Sequence, residues 1–414
     1  MVASDKPRLL VIVNVFNPDR GGGGAIFSDL CYGLAERGFD VTVRCAYPYY
    51  PEWRDKWGKN GLRIQRYVEK GVRIERYGIY IPTKPRSLVQ RLLYEASFFL
   101  SLMRSLPNGR RFDFVMTYCP LVGAVAFAAI HKCVFRRPLW LNVQDLSADA
   151  AAASGIAKGR TVKRLLSGVQ SFLFNRADVW SSISPVMVSR LEQIRNRNQN
   201  VLYLPNWLNA SMAEEIRKLP SKCGREEKMP VRLLYAGNIG GKQDLLRFCR
   251  ILASSDAEFR FVVHGNGAEA ESVRAWIHAT NDERFAFGDF LDEADFARVL
   301  HDTDFFVVTE KSGSGSSFIP CKIIAGIASH TPILAVCDSD SPLAKEMAEN
   351  CLGPLFSWSN IESVPRFLKE RGSRQGEFLR WQENALKRSR FYDRDEVVDR
   401  FASAIMDVFV RTQE

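Results

Sequence analysis

The chain has 414 residues, 46% of them hydrophobic and 25% charged, with 57 Lys+Arg against 47 Asp+Glu. These are globular proportions: they exclude wholesale disorder and collagen or coiled-coil rods, and the length exceeds one ordinary core, so two domains are expected. The charge is uneven, because residues 1–200 carry 30 basic and 15 acidic side chains while residues 201–414 carry 27 and 32.

Met1–Pro7 runs straight into the apolar stretch Leu9–Val13, which is too short for a signal segment, and the nine cysteines contain no C-x-x-C pair. Neither export nor a disulfide or zinc framework is expected. Short apolar runs of strand composition then recur at Leu9–Val15, Val41–Ala46, Phe112–Tyr118, Pro138–Gln144, Val179–Ile183 and Val201–Leu204, many of them separated by helical patterns. Phe114–Ile130 has no charge over seventeen residues, the lower limit for a membrane span. Pro120 interrupts it, and it reads instead as a buried strand followed by the helix Leu121–Cys133.

The polar stretch Asn209–Pro230, with Pro220 and Gly224, reads as a linker. A second series follows at Val231–Ala236, Phe259–His264, Arg284–Phe287, Phe305–Thr309 and Pro332–Val336, alternating with helices near Asp244–Ala253, Glu269–Ala279, Glu293–Leu300 and Lys322–Ala328. Strand alternating with helix gives a parallel sheet wound on both faces. The expected organisation is a first domain over residues 1–208, a linker over 209–230, a second domain over 231–376 and C-terminal helices over 377–414 that return to the first. The active site is expected in the cleft that the two α/β domains face.

Ligands of such sheets bind beyond the carboxyl ends of the strands. There the sequence places Asn17-Pro18-Asp19-Arg20 followed by Gly21–Gly24, where Gly22, Gly23 and Gly24 let N–H groups approach a phosphate at a helix start near Ala25. The dinucleotide fingerprint G-x-G-x-x-G fails here, since the sixth position is Ile26 or Phe27. In the second domain Gly237-Asn238-Ile239-Gly240-Gly241-Lys242 again ends a strand with glycines and adds an ammonium one turn into the next helix, while His264-Gly265-Asn266-Gly267 is a further glycine turn. Glu310–Ser317, with Ser316 and Ser317, leads through Pro320-Cys321-Lys322 into a helix. Asp145 ends a strand of the first domain, as a group to orient an acceptor or take its proton or as a helix cap. Asp338-Ser339-Asp340 has the form of a metal motif but reads as an ordinary polar loop, so no metal is expected.

Aromatic and basic residues coincide in Tyr47–Lys59, where Tyr49, Tyr50, Trp53 and Trp57 interleave with Arg54, Lys56 and Lys59. Near them, Leu88–Leu106 is an apolar-rich helical stretch. Arg54–Arg111 carries 14 basic and 4 acidic residues. Together they suggest an interfacial anchor on anionic lipid, or a solvated face with the helix packed under the first domain.

The order of Asn17-Pro18 and the glycine loop, Tyr47-Pro48-Tyr49-Tyr50-Pro51, Val143-Gln144-Asp145-Leu146, Leu204-Pro205-Asn206-Trp207, Gly237-Asn238-Ile239-Gly240, and Pro320-Cys321-Lys322 before Thr331-Pro332 resembles the retaining glycosyltransferases of family 4. Within them it is similar to the colanic-acid and O-antigen fucosaminyl transferase branch. The resemblance covers nearly the whole chain and implies the GT-B fold, with two Rossmann-like domains facing a cleft. It further implies a nucleotide-diphospho-sugar donor on the second domain, an acceptor on the first and retention of configuration; the interfacial stretch adds the expectation that the saccharide acceptor is lipid-linked, and no cofactor is expected. Under it Lys242 matches the lysine on the donor diphosphate, and Asn238 stands where many relatives have arginine, a cation that Arg20 or Lys322 can supply. The family's pair of Glu eight apart is replaced by Ser317 and Ala325. The expected enzyme is a hexosyl- or N-acetylhexosaminyl-type transferase of bacterial exopolysaccharide or O-antigen synthesis, cytoplasmic and peripheral on the inner face of the cell membrane. The alternatives are a nucleotide-sugar epimerase on the same fold and a non-enzymatic polyanion-binding module. No nucleic-acid partner is expected, for lack of a recognisable motif.

Overall fold

A computed structural model describes residues 6–19, 23–85, 87–144, 168, 171–196, 199–220, 222, 230–313, 319–370 and 375–412. The chain divides into two compact units, Met1–Pro205 with Val397–Glu414, and Asn206–Glu396.

The first unit holds strands β1 (Arg8–Ile12), β2 (Asp40–Ala46), β3 (Gln65–Glu69), β4 (Val72–Tyr77), β5 (Phe114–Cys119), β6 (Leu139–Val143), β7 (Val179–Ser182) and β8 (Asn200–Tyr203). Their order across the sheet is β3-β4-β2-β1-β5-β6-β7-β8, parallel except for the β3–β4 hairpin. β5 and β6 are buried at every position, which explains their unbroken apolar sequences. The Phe114–Ile130 run is accordingly β5 followed by the helix Val122–Phe135, and no helix among the described residues is long and apolar enough to cross a membrane.

The hairpin β3–β4 lies inside the segment read from sequence as a basic face. Lys70 and Gly71, both with positive φ, make its turn, and charges interrupt its apolar pattern. Two of those charges, Glu75 and Arg76, point inward. Arg44 on β2 and Arg76 on β4 are fully buried. Arg44 Nε lies 2.9 Å from Glu75 Oε2, Arg76 NH1 donates to the Ala46 carbonyl, and Arg66 and Arg111 converge on the other oxygen of Glu75. Burial pushes the Glu75 carboxyl up, but the Arg44 and Arg111 guanidiniums outweigh it and hold the group below its usual range. Within the basic segment Arg76 is the buried cation among the described residues, while Arg54, Arg63, Arg66, Arg73, Arg104 and Arg111 stay exposed.

The second unit holds β9 (Val231–Asn238), β10 (Phe259–Asn266), β11 (Phe285–Gly288), β12 (Phe305–Thr309), β13 (Ile333–Val336) and β14 (Leu355–Phe356). All pairs are parallel, in the order β11-β10-β9-β12-β13-β14. Successive residues of β9 supply opposite faces: Val231, Leu233 and Tyr235 enter one core and Leu234 the other, as a sheet wound on both faces requires.

The unit boundaries differ from those expected. The helix Ala210–Arg217, inside the expected linker, packs on the helix Glu293–His301 of the second unit. The stretch 377–414 is divided, because the helix Gln375–Ser389 ends in a short turn and a new helix, Arg394–Arg411, starts where the Asp393 carboxylate accepts the Asp395 and Glu396 amides. Arg388 forms a two-bond pair with Glu346 and Tyr392 donates to the same carboxylate, which holds the first of these helices in the second unit. Only residues from Val397 onward join the first, where Phe401 stacks on Trp140 at 5.7 Å and Arg37 pairs with Asp399.

Candidate functional site

In the second unit the strand order reverses at β9: the chain winds outward to β10 and β11, then returns to β12 on the other side. Parallel sheets bind ligands at this switch point, beyond the carboxyl ends of the two strands that flank it. The residues there are Gly237 and Asn238 at the end of β9, Glu310 after β12, and Lys322 at the start of the helix Lys322–Ala328. Gly237 has φ 125°, and a Cβ at this position would lie 3.7–3.8 Å from the end of Lys322. The Lys322 ammonium sits 3.9 Å from the centroid of the Tyr235 ring, is buried, and has no hydrogen-bond acceptor. Burial pushes it down to about 7, against the stabilising charge of Glu310. Glu310 is pushed up to about 8, first by burial and then by the charge of Asp338, and its Oε2 is also without a partner. A buried cation with unused donors beside a strand end with no side chain is prepared for an anion that enters from solvent.

Next to it lies a mainly apolar pocket of about 210 Å³, lined by Gly237, His264, Gly265, Phe290, Phe296 and Lys322 among others. His264 Nδ1 lies 2.8 Å from the Asp289 carbonyl, and a Cβ on Gly288 would strike the imidazole, so that glycine makes room for the ring. The glycines at 265 and 267 answer a different need from the expected one. A Cβ on Gly265 would come within 2.0 Å of the Gly237 carbonyl and one on Gly267 within 2.4 Å of the Ile239 carbonyl; both let the ends of β9 and β10 close on each other.

Lys242 is exposed and lies in the turn before the helix Leu245–Ala253, not one turn inside it, because Asp244 in the left-handed region ends the turn first. The Lys242 carbonyl accepts the Lys311 amide at 2.7 Å, and Gly240 N donates to Gln243 Oε1. The β9 turn is thus tied to the loop after β12. Asp338 holds the same loop: its two oxygens accept from Ser312 Oγ at 2.8 Å and Gly313 N at 2.6 Å. Asn238 is exposed at the end of β9, its carbonyl accepting from the Tyr235 hydroxyl. Pro320 precedes Cys321, whose sulfur lies 3.3 Å from Asn206 Nδ2. Ser316 and Ser317 lie outside the described residues, as do Asp145, Gly22 and Arg20.

In the first unit the equivalent reversal is at β1, between β2 and β5. Here the strand ends are filled. The Asn14 amide bonds the hydroxyls of Tyr49, Tyr94 and Tyr118, and Tyr49 and Tyr94 lie 2.6 Å apart. Asp19, 2% exposed, accepts the Tyr49 and Tyr50 amides and pairs with Lys56 at 2.9 Å. Its role as organiser of this loop was not recognised from sequence, although its place after the β1 strand is the available signal. Gly23 (φ 87°) precedes the helix Gly24–Glu36, and a Cβ on Gly24 would fall 2.3 Å from the Asp19 carbonyl, so the glycine at 24 serves chain packing.

Tyr49 is wholly buried and cannot be an interfacial side chain, a correction to the sequence reading. Trp53 packs edge-on against Tyr49, Tyr50 and Tyr94, and Trp57 lies under the Arg76 guanidinium at 5.0 Å, so these indoles face the unit while Arg54 is exposed. Glu95 was also missed. It accepts the Gly123 amide at 2.9 Å and burial pushes it up to about 7.

Residues 21–207 match the model of the glycosyl transferase 4-like domain. The chain is 26% identical, over 80% of its own length and 81% of the relative's, to the putative colanic acid biosynthesis glycosyl transferase WcaI of Escherichia coli K12. Among solved structures it is similar to a sucrose-phosphate synthase from Thermosynechococcus elongatus (TM-score 0.71, 14% identity, 98% of this chain and 100% of that one). Another is HepE from Anabaena, solved with UDP and glucose (TM-score 0.67, 14% identity, 97% and 100%). The first unit thus carries a glycosyl transferase 4-like domain, and the chain is a glycosyltransferase of the GT-B fold.

Proposed function

We propose that the protein transfers a sugar from a nucleotide-diphospho-sugar to a saccharide acceptor in bacterial polysaccharide assembly, with the donor held by the second unit and the acceptor by the first. The observation that carries this reading is the buried Lys322 ammonium, without a hydrogen-bond acceptor, beside the side-chain-free Gly237 at the switch point. As the bond from sugar to phosphate breaks, negative charge grows on the departing diphosphate. Lys322 and Lys242, with N–H groups of the Gly237–Gly240 turn, stabilise that charge more than they do the ground state. The pocket at His264, Phe290 and Phe296 supplies an apolar seat for the nucleobase. Transfer proceeds with retention and needs no divalent ion: both oxygens of Asp338 are already engaged by the Ser312-Gly313 turn. The relative named for colanic acid biosynthesis supports the polysaccharide setting.

We propose further that the acceptor is lipid-linked and that the first unit sits on an anionic membrane surface. The support is the helix Leu88–Met103: its Tyr94, Phe98 and Leu102 pack inward, while Val89, Leu92, Leu93 and Leu100 are 49–65% exposed on the opposite face. An uncharged apolar stripe of this kind inserts at the headgroup boundary, and the exposed Arg54, Lys59, Arg63 and Arg104 add electrostatic attraction.

A panel of nucleotide sugars tested by thermal shift checks the donor assignment, because a ligand bound only by the folded state raises its melting temperature. One nucleotide sugar is expected to raise Tm in wild type and to lose most of that shift in Lys322→Met. No shift with any member, or an equal shift in the variant, overturns the placement.

A further inference from the structure

At the opposite end of the first unit's sheet, where β6 and β7 begin, the surface opens into a pocket of about 270 Å³ lined by Lys132, Arg136, Arg137, Arg176 and Asp178 among others. Four cations there face one carboxylate. Asp178 is committed to its own strand ends, accepting the Leu139 amide at 2.8 Å as well as the Lys132 ammonium. Arg137 has a carboxylate, that of Asp113, only at 3.9 Å, and its Nε is buried with no partner. Arg176 lies against the exposed Phe172 ring at 4.6 Å. Arg136 ends the helix Val122–Phe135 at φ 55°, where glycine or asparagine is the usual residue. A left-handed arginine there costs backbone strain, and the position adds a third guanidinium to the same cavity.

We propose that this pocket is an anion site for a phosphorylated ligand, separate from the donor site and at the other end of the strands from any transfer chemistry. Guanidinium groups match phosphate oxygens with paired N–H donors, and Arg136, Arg137 and Arg176 line this one cavity. A phosphate in the cavity would relieve the mutual repulsion of Arg136, Arg137 and Arg176. The phosphate can belong to a free metabolite or to a lipid headgroup; the recognising chemistry is the same.

The exposed Cys133 lines the pocket and offers a local readout. Full-length protein is alkylated with a maleimide, and labelling of Cys133 is followed by peptide mass spectrometry beside Cys351, which is exposed in the second unit. Inorganic pyrophosphate at about ten times its dissociation constant should slow Cys133 labelling about tenfold and leave Cys351 unchanged. Protection by phosphatidic-acid vesicles, with none by phosphatidylcholine, assigns the site to a headgroup; protection by pyrophosphate alone assigns it to a free ligand. In Arg136→Gly/Arg137→Ser the protection ratio should return to about one. Glycine suits φ 55°, so the fold should be retained, and an unshifted Tm checks this. Unprotected Cys133 in both arms, or equal protection in the folded double variant, overturns the proposal.

Discussion

Replacing Lys322 by Met tests the donor site through its pH dependence. In the free protein the ammonium titrates near 7 because it is buried without an acceptor. A nucleotide sugar carries a diester diphosphate whose charge is constant between pH 6.5 and 9. On binding it would supply the missing acceptor and raise the lysine well above that range. The protonated lysine is the form that binds, so affinity is nearly level below 7 and falls as pH rises above it, by up to tenfold per unit. From pH 7 to 8.5 this amounts to about fifteenfold, or roughly 1–2 kcal/mol. Glu310, pushed up to about 8, acts in the same direction, since its ionisation above that pH adds a negative charge beside the diphosphate.

Calorimetry in buffers of different ionisation enthalpy should show most of one proton taken up at pH 7.5 in wild type. Lys322→Met should bind weakly, with only the small proton uptake that belongs to Glu310 and a pH profile that retains only the decline from Glu310. It should also unfold at a higher temperature than wild type, because an unpartnered buried ammonium over Tyr235 is replaced by an apolar chain of similar length. Level affinity from pH 6.5 to 8.5 with no proton uptake in wild type would refute the reasoning.

Lys242→Ala should lower transfer roughly 10–1,000-fold with the fold intact, the scale for removing one charge-stabilising donor, and unchanged turnover would remove Lys242 from the diphosphate. Transfer should continue in excess EDTA; complete loss restored by magnesium would return Asp338 and Asp340 to consideration. Flotation with anionic liposomes should fall with salt and drop further in Leu92→Ser/Leu93→Ser, whereas equal flotation of variant and wild type would show that the helix face does not insert. The buried His131 is pushed down to about 4, chiefly by burial. Its neutral form is the folded one, so the unfolded state binds the extra proton between pH 6.5 and 4 and stability falls across that window by roughly 3 kcal/mol. His131→Gln should flatten that decline in denaturant titrations, and an unchanged slope would contradict it.

Strands buried on both faces were legible because nothing in them needs to be polar: β5, β6, β12 and β13 all lie within a few residues of their apolar runs. The hairpin β3–β4 was not, since Arg66, Arg73, Glu75 and Arg76 hide its alternation, and only the fold shows that Arg44 and Arg76 are the ones taken inside. Lys322 could be singled out from Pro320-Cys321-Lys322 ahead of a helix. Glu310 could not, because its position depends on β12 lying next to β9, a neighbour relation between residues some seventy apart that no local pattern records. The glycines at 24, 265 and 267 were legible as glycines but not in their purpose. A close approach of two chain segments and a close approach of a ligand leave the same mark in sequence, and only the carbonyl opposite each one separates them.

That distinction bears on the proposed division of labour. Both sheets reverse direction at a central strand, so topology alone offers each unit the same binding position. What fills it differs. At β1 the position is occupied by Asn14 and three tyrosine hydroxyls, each bonded to the Asn14 amide and uncharged at neutral pH, since burial pushes Tyr49, Tyr94 and Tyr118 far above their usual range. Such a floor has nothing with which to balance a diphosphate. At β9 there is no side chain at Gly237, and the nearest charged group is an ammonium that lacks an acceptor. An anion gains there what the free protein lacks. On the proposed reading the donor belongs to the second unit for this electrostatic reason, which leaves the first unit, uncharged at this position, to the sugar acceptor.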